Sequence, residues 1–114
     1  MPYINTVTTV NITEEQKRAL TKEFGKAIEL IPGKSEEWLM LRFTGGEMMA
    51  FKGDCESPCA MIEVEVFGKA KPSAMEDLTK ELCLIVERTL GVKSERVYVK
   101  FEEIDNWGYD GFNF

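Results

Sequence analysis

The chain has 114 residues, 44% hydrophobic and 30% charged, which suits one folded domain over residues 1–114 and argues against disorder. With 20 Asp and Glu against 14 Lys and Arg, the net charge of -6 has the wrong sign for neutralising phosphates, so nucleic acid is not an expected partner. Histidine is absent, which excludes Ser-His-Asp and Cys-His nucleophiles, histidine-ligated zinc and an imidazole base.

Residues 2–10 are rich in β-branched side chains and read as a strand. Asn11 and Thr13 offer N-caps to a helix opening at Glu14-Glu15. Leu20, Phe24, Ala27, Ile28 and Ile31 form one apolar stripe at helical spacing, and Pro32-Gly33 is expected to end it. Trp38 to Phe43 reads as a second strand, Thr44-Gly45-Gly46 as a turn, Glu47 to Phe51 as a short strand, and 52–58 as a loop.

The pattern then restarts. Ile62, Val64 and Val66 alternate with Glu63, Glu65 and Phe67 in a strand. Pro72-Ser73 sits at a helix start, and Leu78, Leu82, Ile85, Val86 and Thr89 repeat the first stripe before Gly91. Lys93-Ser94-Glu95 repeats Lys34-Ser35-Glu36 at a shift of about 59 positions. Arg96 to Phe101 is the matching strand, and the aromatic tail from Asp105 to Phe114 leaves room for a short strand near Trp107.

The chain is therefore an α+β fold made by a tandem β-α-β duplication. A helical crossover makes the strands of each pair parallel, and the simplest product is a four-stranded sheet with both helices on one face. Trp38, Met40, Phe43 and Phe67 compete for two sheet faces, only one of which the helices cover. A partly apolar open face predicts oligomerisation. In the last strand Val97, Val99 and Phe101 share the core side, while Tyr98 and Lys100 point to the open one.

No basic segment followed by an apolar stretch opens the chain, and no apolar run reaches membrane-spanning length, so a cytoplasmic protein with no membrane partner is expected. Cys55, Cys59 and Cys83 are an odd number, which fits reduced thiols. Three thiols without histidine make a poor metal set, so no metal is expected.

The chemistry-bearing feature is Met1-Pro2. Initiator methionine is removed when proline follows, which would leave Pro2 as a secondary amine fixed at the start of a strand. An apolar pocket and a nearby cation would both disfavour its charged form, making it a base able to take a proton from carbon beside a carbonyl. Alone, the dipeptide is a weak signal and reads better as a rigid chain start.

The context is more specific. Met1-Pro2 leads into the first strand, and Pro32-Gly33-Lys34 follows the first helix. Met49-Ala50-Phe51, Ser57-Pro58-Cys59-Ala60, Gly68-Lys69, Arg96-Val97-Tyr98-Val99 and the ending from Asn106 to Phe114 follow in order. In this order and spacing, the whole chain resembles the macrophage migration inhibitory factor family of the tautomerase superfamily. The resemblance implies a homotrimer whose sheets wrap into a barrel, with three active sites at subunit boundaries. It implies tautomerisation of phenylpyruvate-like aryl α-keto acids and dopachrome-type test substrates, with no metal or organic cofactor. The alternative it implies is a cytokine or immunomodulatory protein, exported without a signal peptide, that binds a protein receptor and keeps a residual pocket.

Position by position, Pro2 matches the catalytic proline. Lys34 matches the lysine that holds the substrate carboxylate and lowers the proline pKa, though a solvated lysine past a helix C-terminus would look the same. Tyr98 matches a tyrosine supplied by the neighbouring subunit, against the simpler reading of an interface tyrosine. Lys100 stands where asparagine is frequent, so it is either a second pocket cation or an interface lysine. Phe67 replaces an isoleucine and should narrow the pocket, and Trp107 and Tyr109 keep an aromatic rim. The family's Cys-x-x-Cys has lost its second member, reading Cys59-Ala60-Met61-Ile62, so thiol oxidoreductase activity is not carried over.

Overall fold

Strand β1 (Pro2–Thr8) alternates strictly, with Pro2, Ile4, Thr6 and Thr8 buried, in a computed structural model that describes residues 1–114. Helix α1 (Glu14–Ala27) opens with a capping box. The Thr13 hydroxyl accepts the Gln16 N–H at 3.1 Å, and the Gln16 side chain accepts the Thr13 N–H at 2.9 Å. Glu14 and Glu15 in the first turn and Lys26 in the last suit the helix dipole.

The α-helix stops at Ala27, earlier than Pro32-Gly33 suggested, and tightens into a 3-10 turn over Ile28–Leu30. Pro32 disfavours helical backbone at the residue before it, and Ile31 is extended with φ -92 and ψ 113. The apolar stripe nevertheless carries through, since Ile28 and Ile31 are both buried.

A second 3-10 turn, Glu36–Trp38, precedes β2 (Met40–Thr44), so Trp38 stands before the strand and not in it. The expected strand over 47–51 does not form. Only Phe51 pairs, with Asp54, their N–H groups and carbonyls exchanging two hydrogen bonds of 3.0 Å. Lys52 and Gly53 between them have φ of 54 and 77, the left-handed pair that a two-residue hairpin turn requires.

Strand β3 (Ala60–Phe67) alternates like β1, and α2 (Pro72–Leu90) starts with its proline in the first turn. Gly91 caps α2 at φ 74, and its N–H donates to the Glu87 carbonyl at 3.0 Å. A side chain there would be held in left-handed backbone, so Gly91→Ala should cost about 1–2 kcal/mol, read as a lower urea midpoint at unchanged slope. A 3-10 turn over Ser94–Arg96 leads into β4 (Val97–Ile104), repeating the turn before β2. The tail folds back as a hairpin of β5 (Gly108–Tyr109) and β6 (Phe112–Asn113).

The main sheet has the order β2-β1-β3-β4. Strands β1 and β2 are parallel, β3 and β4 are parallel, and the two halves meet antiparallel between β1 and β3. The α+β duplication is thus as the periodicity predicted. One core lies between the sheet and both helices, with Leu20, Phe24, Leu78, Leu82, Ile85 and Val86 packed over Ile4, Ile62, Val64 and Val66. Most of its members come from positions that alternation or helical spacing marked as apolar, but Leu90 and not Thr89 closes the second stripe, and Ala60 and Val92 join the core unmarked.

The open face is more polar than expected. Register lines up Met40, Tyr3, Glu65 and Glu102 in one row, then Arg42, Asn5, Glu63 and Lys100, then Thr44, Val7, Met61 and Tyr98. Phe43 has gone to the core side, its ring 6.0 Å from that of Phe24. Cys59 is buried, Cys83 half-buried and Cys55 exposed; none is bonded to another, and burial pushes the Cys83 thiol pKa upward. No helix is long and apolar enough to cross a membrane.

Candidate active site

The N-terminus is placed by strand pairing. Pro2 lies opposite Val66 near the end of β3, in the middle of the sheet, where it is buried. Proline can start a strand because its missing N–H costs no ladder bond there. One residue further on, the Phe67 N–H donates to the Met1 carbonyl at 3.0 Å.

Lys34 comes to the same place from the connection between α1 and β2. The Ile31–Lys34 turn, with Gly33 at φ 83, is closed by the Lys34 N–H donating to the Ile31 carbonyl at 3.1 Å. The Lys34 side chain is then aimed back over the sheet, and its Nζ donates to the Phe67 carbonyl at 2.9 Å. One residue, Phe67, therefore anchors the N-terminal segment with its N–H and the lysine with its C=O.

The electrostatic result is specific. The terminal amine of Met1 is held down to about 6 from an ordinary 8.0, first by burial, then by the positive charge of Lys34 and a hydrogen bond from it. Both effects favour the neutral amine, whose lone pair can accept from an ammonium group. This acts on the Met1 amine, one residue before Pro2.

A cavity of about 890 Å³ opens beside it, with Met1, Pro2, Trp38, Ile104, Trp107 and Tyr109 in its wall. Trp38 and Tyr109 meet edge to face at 5.2 Å, which ties the tail hairpin to the turn before β2. Phe67 packs against Phe114 with ring centroids 5.7 Å apart. Glu37 and Glu65 also line the cavity, whereas Lys34 and Phe67 lie outside its wall, and the Lys34 charge acts on the Met1 amine at its edge. No group of three or more Cys, Asp or Glu side chains is arranged to hold a metal.

Of the residues singled out in the sequence, Pro2, Lys34 and Phe67 come together, with Trp107 and Tyr109 beside them. Tyr98 and Lys100 do not join them within one copy. Tyr98 pairs with Met61 while Pro2 pairs with Val66, a separation along β3 of roughly 17 Å at ~3.3 Å per residue. Lys100 is engaged on the open face. Its Nζ lies 3.0 Å from Glu63, which also accepts from the Asn5 amide at 3.2 Å. That cation lowers the Glu63 pKa.

Sequence reasoning missed Trp38 and Phe114 as parts of this site. The signal for Trp38 is the repeated Lys-Ser-Glu, which marks a turn in both halves, although the residues after it read as a strand starting at Trp38. Arg96 was also passed over. Its guanidinium donates to four backbone carbonyls of the 51–58 loop: Pro58 at 2.9 Å, Ser57 at 3.0 Å, Asp54 at 3.1 Å and Phe51 at 3.3 Å. Asp54, 3.6 Å from that guanidinium, has its pKa held down to about 2. The causes are hydrogen bonds from Ser57 and Glu56 and, less strongly, the Arg96 charge.

The family model for macrophage migration inhibitory factor matches residues 1–113 of the chain. A macrophage migration inhibitory factor from Xenopus laevis is 31% identical over 97 residues, covering 83% of this chain and 80% of the relative. A solved structure of macrophage migration inhibitory factor from Toxoplasma gondii superposes with a TM-score of 0.91 at 28% identity, covering 98% and 99% of the two chains. That of a homologue from Prochlorococcus marinus superposes with a TM-score of 0.88 at 29% identity, covering 98% of each.

Proposed function

The chain belongs to the macrophage migration inhibitory factor family, with the tautomerase superfamily fold, and on that premise we propose that it is a keto–enol tautomerase of phenylpyruvate-like aryl α-keto acids. The base is the Pro2 nitrogen, made available by removal of Met1. The observation that carries this reading is the lowered pKa of the Met1 amine, one residue from Pro2, which partial burial and Lys34 hold down next to an aromatic-walled cavity.

The chemistry follows from the groups in reach. The Lys34 ammonium pairs with the substrate carboxylate, and the aryl ring lies among Phe67, Trp107 and Tyr109. Neutral Pro2 nitrogen takes a proton from the benzylic carbon, and the electron pair of that C–H bond moves onto the carbonyl oxygen as an enolate. Loss of Met1 also removes the carbonyl that accepts from the Phe67 N–H, which frees that donor for the enolate oxygen. Protonated Pro2 returns the proton to oxygen, or to carbon in the reverse direction, so no proton is gained or lost overall.

Tyr98 enters this scheme from another copy, since its own Pro2 is out of reach. A closed homotrimer provides that arrangement and covers the open face of each sheet. Lys100 sits two residues along the same face, so it approaches the neighbouring site already paired with Glu63.

The test is phenylpyruvate turnover on a sample whose N-terminus has been read by mass spectrometry. Protein beginning at Pro2 should be active, with turnover rising with pH and levelling off once the imino group is neutral. Protein starting at Pro2 that shows no turnover at any pH would rule the reading out.

A further inference from the structure

We propose that Arg96 and Phe51 are positioning residues for Tyr98, holding its ring at the angle with which it enters the site of a neighbouring copy; this rests on the tautomerase reading above. Tyr98 is 62% exposed on the open sheet face, so core packing does not fix its ring. What meets it is Phe51, whose ring stands at 90° to it with centroids 4.9 Å apart. Edge-to-face contact of this kind restricts both rings.

Phe51 is itself held firmly for a loop residue. Its backbone lies in the two-residue hairpin with Asp54, and its carbonyl accepts from Arg96 Nη1. Its ring lies 5.4 Å from the guanidinium carbon of Arg96 and 5.6 Å from Lys52 Nζ, within cation–π range of both.

Arg96 is the origin of this order. Its side chain is only 14% exposed, and its donors close the loop by bonding Phe51, Asp54, Ser57 and Pro58 at once. A planar fork with five N–H donors can do this, whereas an ammonium group on a flexible stem cannot. Arg96 also ends the 3-10 turn that leads straight into β4, two residues before Tyr98. The loop and the tyrosine are thus set from one element, and the ring between them transmits the setting.

The prediction is tested in the full chain by a double-mutant cycle. Phe51→Leu should lower kcat/KM for phenylpyruvate about five-fold through KM, the scale of an aromatic pair, leaving the pH profile in place. Phe51→Tyr, which keeps the ring, should restore it, and in a Tyr98→Ala background Phe51→Leu should cost nothing further.

A readout independent of turnover is the ¹⁹F resonance of Tyr98 in protein labelled with 3-fluorotyrosine. It should move toward the value of free tyrosine in both Phe51→Leu and Arg96→Lys. Losses that multiply in the cycle, or a ¹⁹F line that stays in place, would overturn the proposal. If the unaltered protein has no turnover, the tautomerase reading fails, and with it the service of Tyr98 to a neighbour. A moved ¹⁹F line would even then support the holding of the ring.

Discussion

Pro2→Gly is expected to lower phenylpyruvate turnover by about 100-fold or more, at the scale of a lost general base. Glycine leaves a primary amine in place of the ring-locked secondary amine, and its free rotation loosens the aim of the lone pair. The fold should be spared. The β1 ladder runs on through Ile4, Asn5 and Thr6, and the core contacts of the strand come from Ile4 onward. Circular dichroism and a urea titration should place the variant within about 1 kcal/mol of the parent. Protein that retains Met1 makes the complementary control, because its Pro2 nitrogen is an amide and has no basic lone pair. That sample should be inactive although every side chain is present. Full turnover by Pro2→Gly, or by the Met1-retaining form, would remove Pro2 as the base.

Lys34→Ala should act on two measurements at once. The ammonium, bonded to the Phe67 carbonyl and acting on the terminal amine beside the cavity, is the proposed carboxylate partner, so its loss should raise KM about ten-fold, in line with a charge-assisted hydrogen bond. It should also move the acid limb of the pH profile. Burial is the largest cause that holds the Met1 amine at about 6 and Lys34 supplies the other two, and the lysine is expected to act in the same direction on an amine one residue further on, at Pro2. The amine pKa then rises toward its ordinary value. Because the neutral amine is the active form, turnover is lost at the acid end first, and the half-maximal pH shifts upward. Lys34→Arg keeps the charge and should recover most of the limb while binding less well, since the planar fork does not reproduce the single bond to the Phe67 carbonyl. A KM and an acid limb both unchanged in Lys34→Ala would show that the lysine only solvates its turn.

The architecture was legible because its determinants are local. The stripe of Leu20, Phe24, Ala27 and Ile28 and that of Leu78, Leu82, Ile85 and Val86 specify two helices. The alternation at Ile62, Val64 and Val66 specifies a strand whose inner face needs them. The repeat of these units then leaves few ways to build the sheet. Boundaries were less legible where short-range geometry competes with pattern. Pro32 converted the last helical turn to 3-10 form, and Trp38 went into a turn although its neighbours are strand-like.

Site residues divided in the same way. Pro2, Lys34 and Phe67 converge through register and one turn, which sequence order alone does not reveal. They were found because the chain resembles a family. The Phe51–Asp54 hairpin lies across a stretch whose pattern reads as strand and loop, since nothing local announces that an arginine some 40 positions downstream will close it.

The place of β1 between β2 and β3 also orders events during synthesis. Its partner in β3 ends at Phe67, so the ribosome must add more than half the chain before that residue can bind the Met1 carbonyl. At 5–20 residues per second this leaves the nascent terminus unsheltered for about 3–13 s. An aminopeptidase that trims the chain has that interval to work in. Afterwards it must pull the first residue out of a completed sheet.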